Sequence, residues 1–299
     1  MIQTYFLGAN SRDGFASLYR YFPGGEGAYL HILKGGPGTG KSGFMRRIGE
    51  AAEARGLEVH YVLCSGDPDS LDGVYLPQRK LAWVDGTAPH SLEPGCFGVD
   101  GDYVNLGVFC RTPLDAPDRE RVLALTRQYR SLYREVYRLL ADGRPGVMPP
   151  GVRRSPSELL RGVDLRDALP CPPQQRFLHT VSCQGEFWLE GEIEKLCKLV
   201  VPVTEAELAA LSLELQRREL PAIRCPSPLD PARLEALLLP WAGTAYQAPR
   251  SIAAPEAALS RLGEAKALHD EIEAVYKPYV DFTALTAFTD ETVSALFPE

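Results

Sequence analysis

The sequence lacks several features that would point to particular classes of protein. Its seven cysteines include no C-x-x-C pair and leave an odd one over, which argues against both structural zinc and a disulfide framework. No apolar run approaches the length that crosses a membrane, and residues 1–15 contain no basic region followed by an apolar core. These absences predict a cytoplasmic protein in a reducing compartment, with no membrane partner.

An excess of positive charge is also absent. Lysines and arginines number 32 against 39 aspartates and glutamates, which gives a formal net charge of −7. Since an acidic chain does not adhere broadly to nucleic acid, we do not expect nucleic acid as a partner. With 299 residues, 45% of them apolar, the chain is long enough for one large domain or two ordinary ones.

The most informative feature that is present is a phosphate-binding pattern. Residues 35–42 match G-x-x-x-x-G-K-[ST] at every fixed position and follow the apolar run 28–33. Glycines let successive backbone N–H groups converge on an anion, and a helix beginning there directs its positive dipole end at the same oxygens. The residues expected to bind ATP are Gly35, Gly36, Pro37, Gly38, Thr39, Gly40, Lys41, Ser42 and Gly43.

Four residues are candidates for the chemistry of this site. Lys41 can reach the β- and γ-phosphates as a point charge, and the Ser42 hydroxyl can complete the coordination shell of Mg²⁺. Asp85 ends an apolar strand, either as a Walker B aspartate that orients the water shell of Mg²⁺ or as a turn-forming Asp-Gly. His90, in the loop that follows, is a γ-phosphate sensor, a proton acceptor or an ordinary loop histidine.

The order of the predicted elements indicates an α/β fold, in which helices cover a parallel sheet. Periodicity and turn residues predict strands at 4–8, 29–33, 58–64, 81–84 and 104–109, and helices at 14–22 and from the phosphate loop to about 55. A long helix at 118–140 has an apolar face and, opposite to it, a basic face. That basic face is a solvated surface or a docking face for an anionic partner or substrate, and consists of Arg127, Arg130, Arg134 and Arg138.

After a segment rich in proline and glycine, the chain repeats itself. Residues 176–185 can be laid over residues 5–14 without a gap, and Gly-Thr-Ala occurs at 86–88 and again at 243–245. The repeat predicts a degenerate internal duplication of the α/β unit. Its parts are a P-loop nucleotide-binding domain at 1–142, a linker at 143–173 and a P-loop-like domain at 174–299.

The second copy has no phosphate loop. A strand predicted at 199–203 passes there into a helix that Thr204 and Glu207 cap. Matching the two Gly-Thr-Ala segments places Ala242 opposite Asp85, so the candidate metal ligand disappears together with the loop. We therefore expect a single competent nucleotide site, in the first half of the chain.

Other acidic residues follow the predicted strand 58–64. Asp67 and Asp230 are equivalent in the two copies, and each precedes a proline, as an N-capping aspartate often does. Asp69 and Asp72 lie near the end of the same predicted strand. They are candidates for contact with a second substrate or with the metal shell.

The motifs resemble those of known nucleotide-binding families. Residues 36–42 are similar to the phosphate loop of AAA-type ATPases, in which a glutamate that polarises the attacking water follows the Walker B aspartate; here Gly86 stands in its place. The chain is more similar to an uncharacterised bacterial family of P-loop NTPases built from two related halves, through the segments 6–10, 32–42, 67–73, 85–90 and 104–107. That resemblance implies ATP binding without a defined substrate. Its members carry a phosphate loop in each half, and this chain has lost the second.

Three functions fit these observations. The first is Mg²⁺-dependent ATP hydrolysis, for which the missing glutamate is a difficulty. The second is phosphotransfer by a small-molecule or nucleotide kinase, which needs no such glutamate and has as possible charge stabilisers Arg46, Arg47, Arg79 and Arg111. The third is a non-enzymatic, nucleotide-dependent switch whose second half binds a protein partner. ATP is expected rather than GTP because the sequence contains no N-K-x-D.

Overall fold

The structure is of the α/β class, with one main β-sheet in each half of the chain. The computed structural model describes residues 1–23, 27–89, 92–143, 154–165, 168, 174–249 and 253–298. None of the helices found in these ranges is both long and apolar enough to cross a membrane.

The first half contains a six-stranded sheet and two long helices. In chain order its elements are β1 (Ile2–Phe6), β2 (Gly8–Ser11), β3 (Gly14–Ser17), β4 (Tyr29–Lys34), α1 (Lys41–Glu53), β5 (Val59–Leu63), β6 (Leu71–Leu76), β7 (Leu81–Asp85), β8 (Gly101–Asn105) and α2 (Ala116–Ala141). The order across the sheet is β1-β5-β6-β7-β4-β8, and β2 and β3 form a separate hairpin. Because β6 is antiparallel to both of its neighbours, the sheet is mixed, whereas the sequence predicted a parallel one.

The second half contains a five-stranded sheet. Its elements are α3 (Pro156–Leu159), β9 (Gln174–Gln175), β10 (His179–Ser182), β11 (Gly185–Trp188), α4 (Glu192–Leu196), β12 (Leu199–Pro202), α5 (Glu205–Arg217), β13 (Ile223–Pro226), β14 (Leu234–Leu239), β15 (Thr244–Gln247), α6 (Glu256–Tyr276) and α7 (Phe282–Leu296). The order across this sheet is β12-β15-β14-β13-β9, with β10 and β11 as a hairpin. Helix α3 lies inside the predicted linker, and its Leu159 packs in the same core cluster as Leu208 and Leu211 of α5.

The two sheets share one topology. The order β1-β5-β6-β7-β4 corresponds strand for strand to β9-β13-β14-β15-β12. Relative directions agree as well, because in both sheets the third strand of this order is antiparallel to its two neighbours and the remaining pairs are parallel. Each half also has a hairpin after its first strand and a helix after the strand that corresponds to β4. Among the described residues of the second sheet, β8 has no counterpart.

A residue with positive φ precedes both β7 and β15, and it shows how these two corresponding strands align. Lys80 has φ +52° and Gly243 has φ +58°, and each directly precedes the strand in question. Leu81 of β7 therefore corresponds to Thr244 of β15.

Counted from this turn, Asp85 corresponds to Ala248. The Gly-Thr-Ala match had predicted Ala242, and that alignment was wrong because the tripeptide follows β7 in the first half but overlaps the start of β15 in the second. The second half nevertheless has an alanine opposite Asp85, so the candidate metal ligand has no acidic counterpart there.

Two predicted elements were also wrong. The predicted helix 14–22 is strand β3 followed by a single 3₁₀ turn at Tyr19–Tyr21, and Gly14, at φ +106°, closes the hairpin. The predicted cap at Asp67 is a β-turn, in which Ser70 N–H donates to Asp67 O at 2.9 Å, and β6 follows instead of a helix. Aspartate followed by proline favours the first two positions of such a turn as well as a helix start.

The two sheets share a hydrophobic core cluster. Phe6 and Phe177 exchange backbone hydrogen bonds of 2.9 and 2.8 Å, and both side chains are fully buried in one cluster that also contains Val62 and Ile223. Helices α2 and α6 pack antiparallel, since Leu125 contacts the C-terminal end of α6 and the C-terminal end of α2 contacts its beginning. Helix α7 covers α1, where the ring centroids of Phe44 and Phe288 lie 5.8 Å apart.

Candidate functional site

The phosphate-loop sequence lies at the carboxyl edge of two adjacent parallel strands. Strands β4 and β7 are neighbours, with Leu33 paired to Asp85 at their ends. The loop follows β4 immediately, and α1 begins at Lys41 after Gly40, whose φ is +82°. Ligands of open α/β sheets bind outside the carboxyl ends of the strands, and the first N–H groups of a helix have no intrahelical acceptor. This edge can therefore hold an anion.

Lys41 is held at the centre of the loop. Its Nζ donates hydrogen bonds to the carbonyl oxygens of Gly35 and Gly36, both at 3.0 Å, and lies 3.6 Å from Asp85 Oδ2. Thr39 Oγ1 also donates to Gly36 O, at 2.8 Å. The loop is thus closed on itself, with its single cation directed inward.

Asp85 and Ser42 complete the group of residues that the sequence singled out. Asp85 Oδ1 accepts hydrogen bonds from Thr87 N–H and Thr87 Oγ1 at 2.8 and 2.6 Å, which fixes the carboxylate. Ser42 Oγ accepts from Leu71 N–H at 2.9 Å, in the first turn of α1. The structure brings Lys41, Ser42 and Asp85 together around one cavity. His90 lies outside the described residues.

The position after Asp85 has no room for a side chain. A Cβ placed on Gly86 would lie 2.2 Å from Ile32 Cγ2 and 3.3 Å from the carbonyl oxygen of Leu33, both in the neighbouring strand β4. The absence of a glutamate at this point is therefore imposed by the packing of β7 against β4. An acidic group that acts on a ligand at this edge has to come from elsewhere.

The cavity at this edge has a volume of about 850 Å³. It is bounded by the loop, by the turn 64–72, by residues 85–89 and by the facing sides of α2 and α6. Pockets of about 300–1,000 Å³ are usual for small ligands, so this one lies at the upper end of the range.

Helix α2 contributes an aromatic wall, formed by tyrosines of its predicted apolar face. Tyr129, Tyr133 and Tyr137 line the cavity, and burial raises the pKa of each hydroxyl above its ordinary value. The phenols therefore stay protonated at neutral pH and can donate hydrogen bonds. The four arginines of the predicted basic face are exposed to solvent. One of them, Arg130, also lines the cavity.

Helix α6 contributes polar groups that sequence reasoning missed. Lys266, His269 and Glu273 all line the cavity, although they lie more than 220 residues from the loop in sequence. The spacing of these residues, at i, i+3 and i+7, was a signal that one helical face is polar. Nothing in that spacing indicated which surface the face would contact.

The second half fills the corresponding place with its own side chains. Thr204 and Glu207 form the predicted capping box at the start of α5. Arg154 donates from its backbone N–H and its Nε to Glu207 Oε1, at 2.6 and 3.1 Å, and from Nη2 to Pro202 O. An internal carboxylate thus occupies the helix start where the first half has a glycine-rich loop.

Comparisons of the chain with protein-family models, with curated proteins and with solved structures found no match.

Proposed function

We propose that the protein is a P-loop NTPase that binds Mg-ATP at one site, in its first half, and hydrolyses it. The observation that carries this proposal is the meeting of Lys41, Ser42 and Asp85 at the carboxyl ends of β4 and β7, with Lys41 Nζ 3.6 Å from Asp85 Oδ2. A lysine, a hydroxyl and a carboxylate beside a glycine-rich helix start are the groups that Mg²⁺ and a polyphosphate require.

Each residue has a distinct part in this proposal. The loop N–H groups and Lys41 would hold the phosphates, and Lys41 would exchange its carbonyl acceptors for phosphate oxygens, which accept stronger, charge-assisted hydrogen bonds. Ser42 and Asp85 would hold Mg²⁺, directly and through its water shell respectively. Mg²⁺ would supply neutralisation of charge on the phosphate oxygens. Thr87 keeps Asp85 oriented through its two hydrogen bonds.

Phosphotransfer to a small acceptor is the second candidate function. The cavity extends beyond the loop to the tyrosines of α2 and to Lys266, which gives an acceptor both space and hydrogen-bond donors. A kinase needs no water-polarising glutamate, and Gly86 leaves no space for one. The acceptor, any protein partner and a cytoplasmic location remain predictions from the sequence.

One experiment separates the two functions. The protein is incubated with Mg-ATP, alone and with a panel of nucleosides and small metabolites, while ADP and phosphate are followed. Release of ADP and phosphate without an acceptor supports hydrolysis, and ADP formation that depends on an acceptor supports a kinase. Tight binding without turnover would instead indicate a switch. If ATP neither binds nor turns over, the proposal is wrong.

A further inference from the structure

A carboxylate from the second half rests on the phosphate loop. Glu273 Oε1 of α6 accepts a hydrogen bond from Gly38 N–H at 3.1 Å. The helix itself also contacts the loop, because a Cβ placed on Gly38 would lie 3.4 Å from the carbonyl oxygen of Glu273. This contact joins residues that are 235 positions apart in the sequence.

The contact occupies the Gly38 N–H, a hydrogen-bond donor that a bound polyphosphate would need. Gly38 lies in the middle of the loop with φ +69°, where its N–H belongs to the set of donors that converges on an anion. One N–H cannot serve a carboxylate and a phosphate with full strength at the same time. In addition, a carboxylate and a phosphate carry like charges, which repel each other at close range.

Glu273 is free to leave the loop. Its side chain is 42% exposed, and the one ion pair found for it among the described residues is with His269, at 3.8 Å between Oε1 and Nδ1. That distance is too long for a hydrogen bond. The carboxylate can therefore turn toward water without breaking another strong interaction.

We propose that Glu273 is an internal competitor for the phosphates, which occupies the Gly38 N–H in the nucleotide-free protein and withdraws when ATP binds. This inference rests on the proposed nucleotide site. It gives the half without a phosphate loop a role in that site, since ATP has to displace a side chain of α6. The competition lowers the affinity for ATP and makes it depend on the position of α6.

The test measures the affinity of a fluorescent ATP analogue with Mg²⁺, together with turnover, for the wild type, Glu273→Gln and Glu273→Ala. Removing the charge should tighten binding about fivefold or more in both variants, since about 1 kcal/mol corresponds to a factor of about five. Glu271→Gln is the matched control: Glu271 lies on the same helix, is exposed and faces Arg121 at 3.9 Å. This control should bind as the wild type does.

Three other outcomes would contradict either the competition or the proposed function. If all variants bind the analogue with equal affinity, the competition is refuted while the nucleotide site stands. If both Glu273 variants keep the wild-type affinity but lose turnover, Glu273 acts on the reaction as a base and the competition is refuted as well. If neither the wild type nor any variant binds nucleotide, the proposed function itself fails.

Discussion

The most consequential side chain of the loop is Lys41, which is mostly buried and, among the described residues, donates its hydrogen bonds to carbonyl oxygens of that loop. Replacing Lys41 by alanine removes the charge that would face the phosphates in the proposed site. Since a hydrogen bond to a charged group contributes about 1.5–3 kcal/mol, ATP affinity should fall roughly tenfold to a hundredfold. Equilibrium binding measures this loss, and Lys198→Ala, at an exposed position of the second half, should leave the affinity unchanged.

Asp85 should determine the response to Mg²⁺. Asp85→Asn keeps the size of the side chain and an acceptor for Thr87 but removes the charge that would orient the water shell of the proposed metal. The concentration of Mg²⁺ required for half-maximal turnover should rise about tenfold to a hundredfold, as for other groups that act through a metal's outer shell. Asp13→Asn, in the exposed hairpin turn, is the control. An unchanged Mg²⁺ requirement would remove Asp85 from the metal site.

Gly86 should tolerate no side chain. Gly86→Ala forces a methyl group against Ile32 and should reduce the free energy of unfolding by about 1–3 kcal/mol. Gly263→Ala is a matched control, because Gly263 lies within α6 with open space around it, and alanine there should stabilise by about 0.5–1 kcal/mol. Urea denaturation measures both changes. A stable Gly86→Ala protein would show that packing does not exclude a glutamate from this position.

Among the elements, the start of α5 has a capping box and an arginine partner where the first half has a glycine-rich loop. Burial alone would raise the pKa of Glu207, but hydrogen bonds from Arg154 and from Thr204 N–H lower it to about 2. A depressed pKa in the folded state means that the interaction stabilises the protein above the ordinary carboxyl pKa and that this stability is lost as the pH falls toward 2.

Glu207→Gln therefore has a pH-dependent effect. At neutral pH the variant should lose about 1.5–3 kcal/mol of unfolding free energy, the usual contribution of hydrogen bonds to a charged group. The difference from the wild type should shrink as the pH is lowered from 4.5 toward 2, because the wild-type carboxyl is then protonated. Urea titrations at several pH values test this, with the exposed Glu194→Gln as control. A difference that does not vary with pH would contradict the assigned ionisation.

Among the helices and strands, the sequence predicted those whose signals lie within the segment itself. Helix α1 and the capped helix α5 were predicted because apolar spacing and capping residues lie within each segment. Strand β3 was predicted as a helix, since a short apolar run fits both periodicities. The position of Glu273 had no local signal, because it depends on how α6 packs against the loop and α2. The sequence thus predicted that the loop, Ser42 and Asp85 would lie together. It could not predict that side chains of α6 would line the same cavity.

On the scale of the whole molecule, the two halves repeat one topology and share one of their hydrophobic core clusters. Phe177 of the second half is fully buried beside Phe6 of the first. Phe177→Ala should therefore destabilise both halves, by about 3–5 kcal/mol for the loss of a buried aromatic ring.

Tryptophan fluorescence can report this coupling for the first half alone. In a Trp188→Phe, Trp241→Phe background, Trp83 is the remaining tryptophan and lies in β7. Phe177→Ala should shift the urea midpoint of Trp83 fluorescence to the same extent as that of circular dichroism. A Trp83 transition that does not move would show that the halves unfold independently.

The central claim is that one phosphate site exists, at residues 35–42, and that the repeated topology of the second half carries none. Calorimetric titration of the full chain with Mg-ATP tests it most directly. We predict one equivalent of ATP per chain, with an affinity that falls roughly tenfold to a hundredfold in Lys41→Ala and is unchanged when Thr204 is replaced by alanine at the start of α5. Two equivalents, or an affinity that is unchanged in Lys41→Ala and falls in Thr204→Ala, would contradict the account.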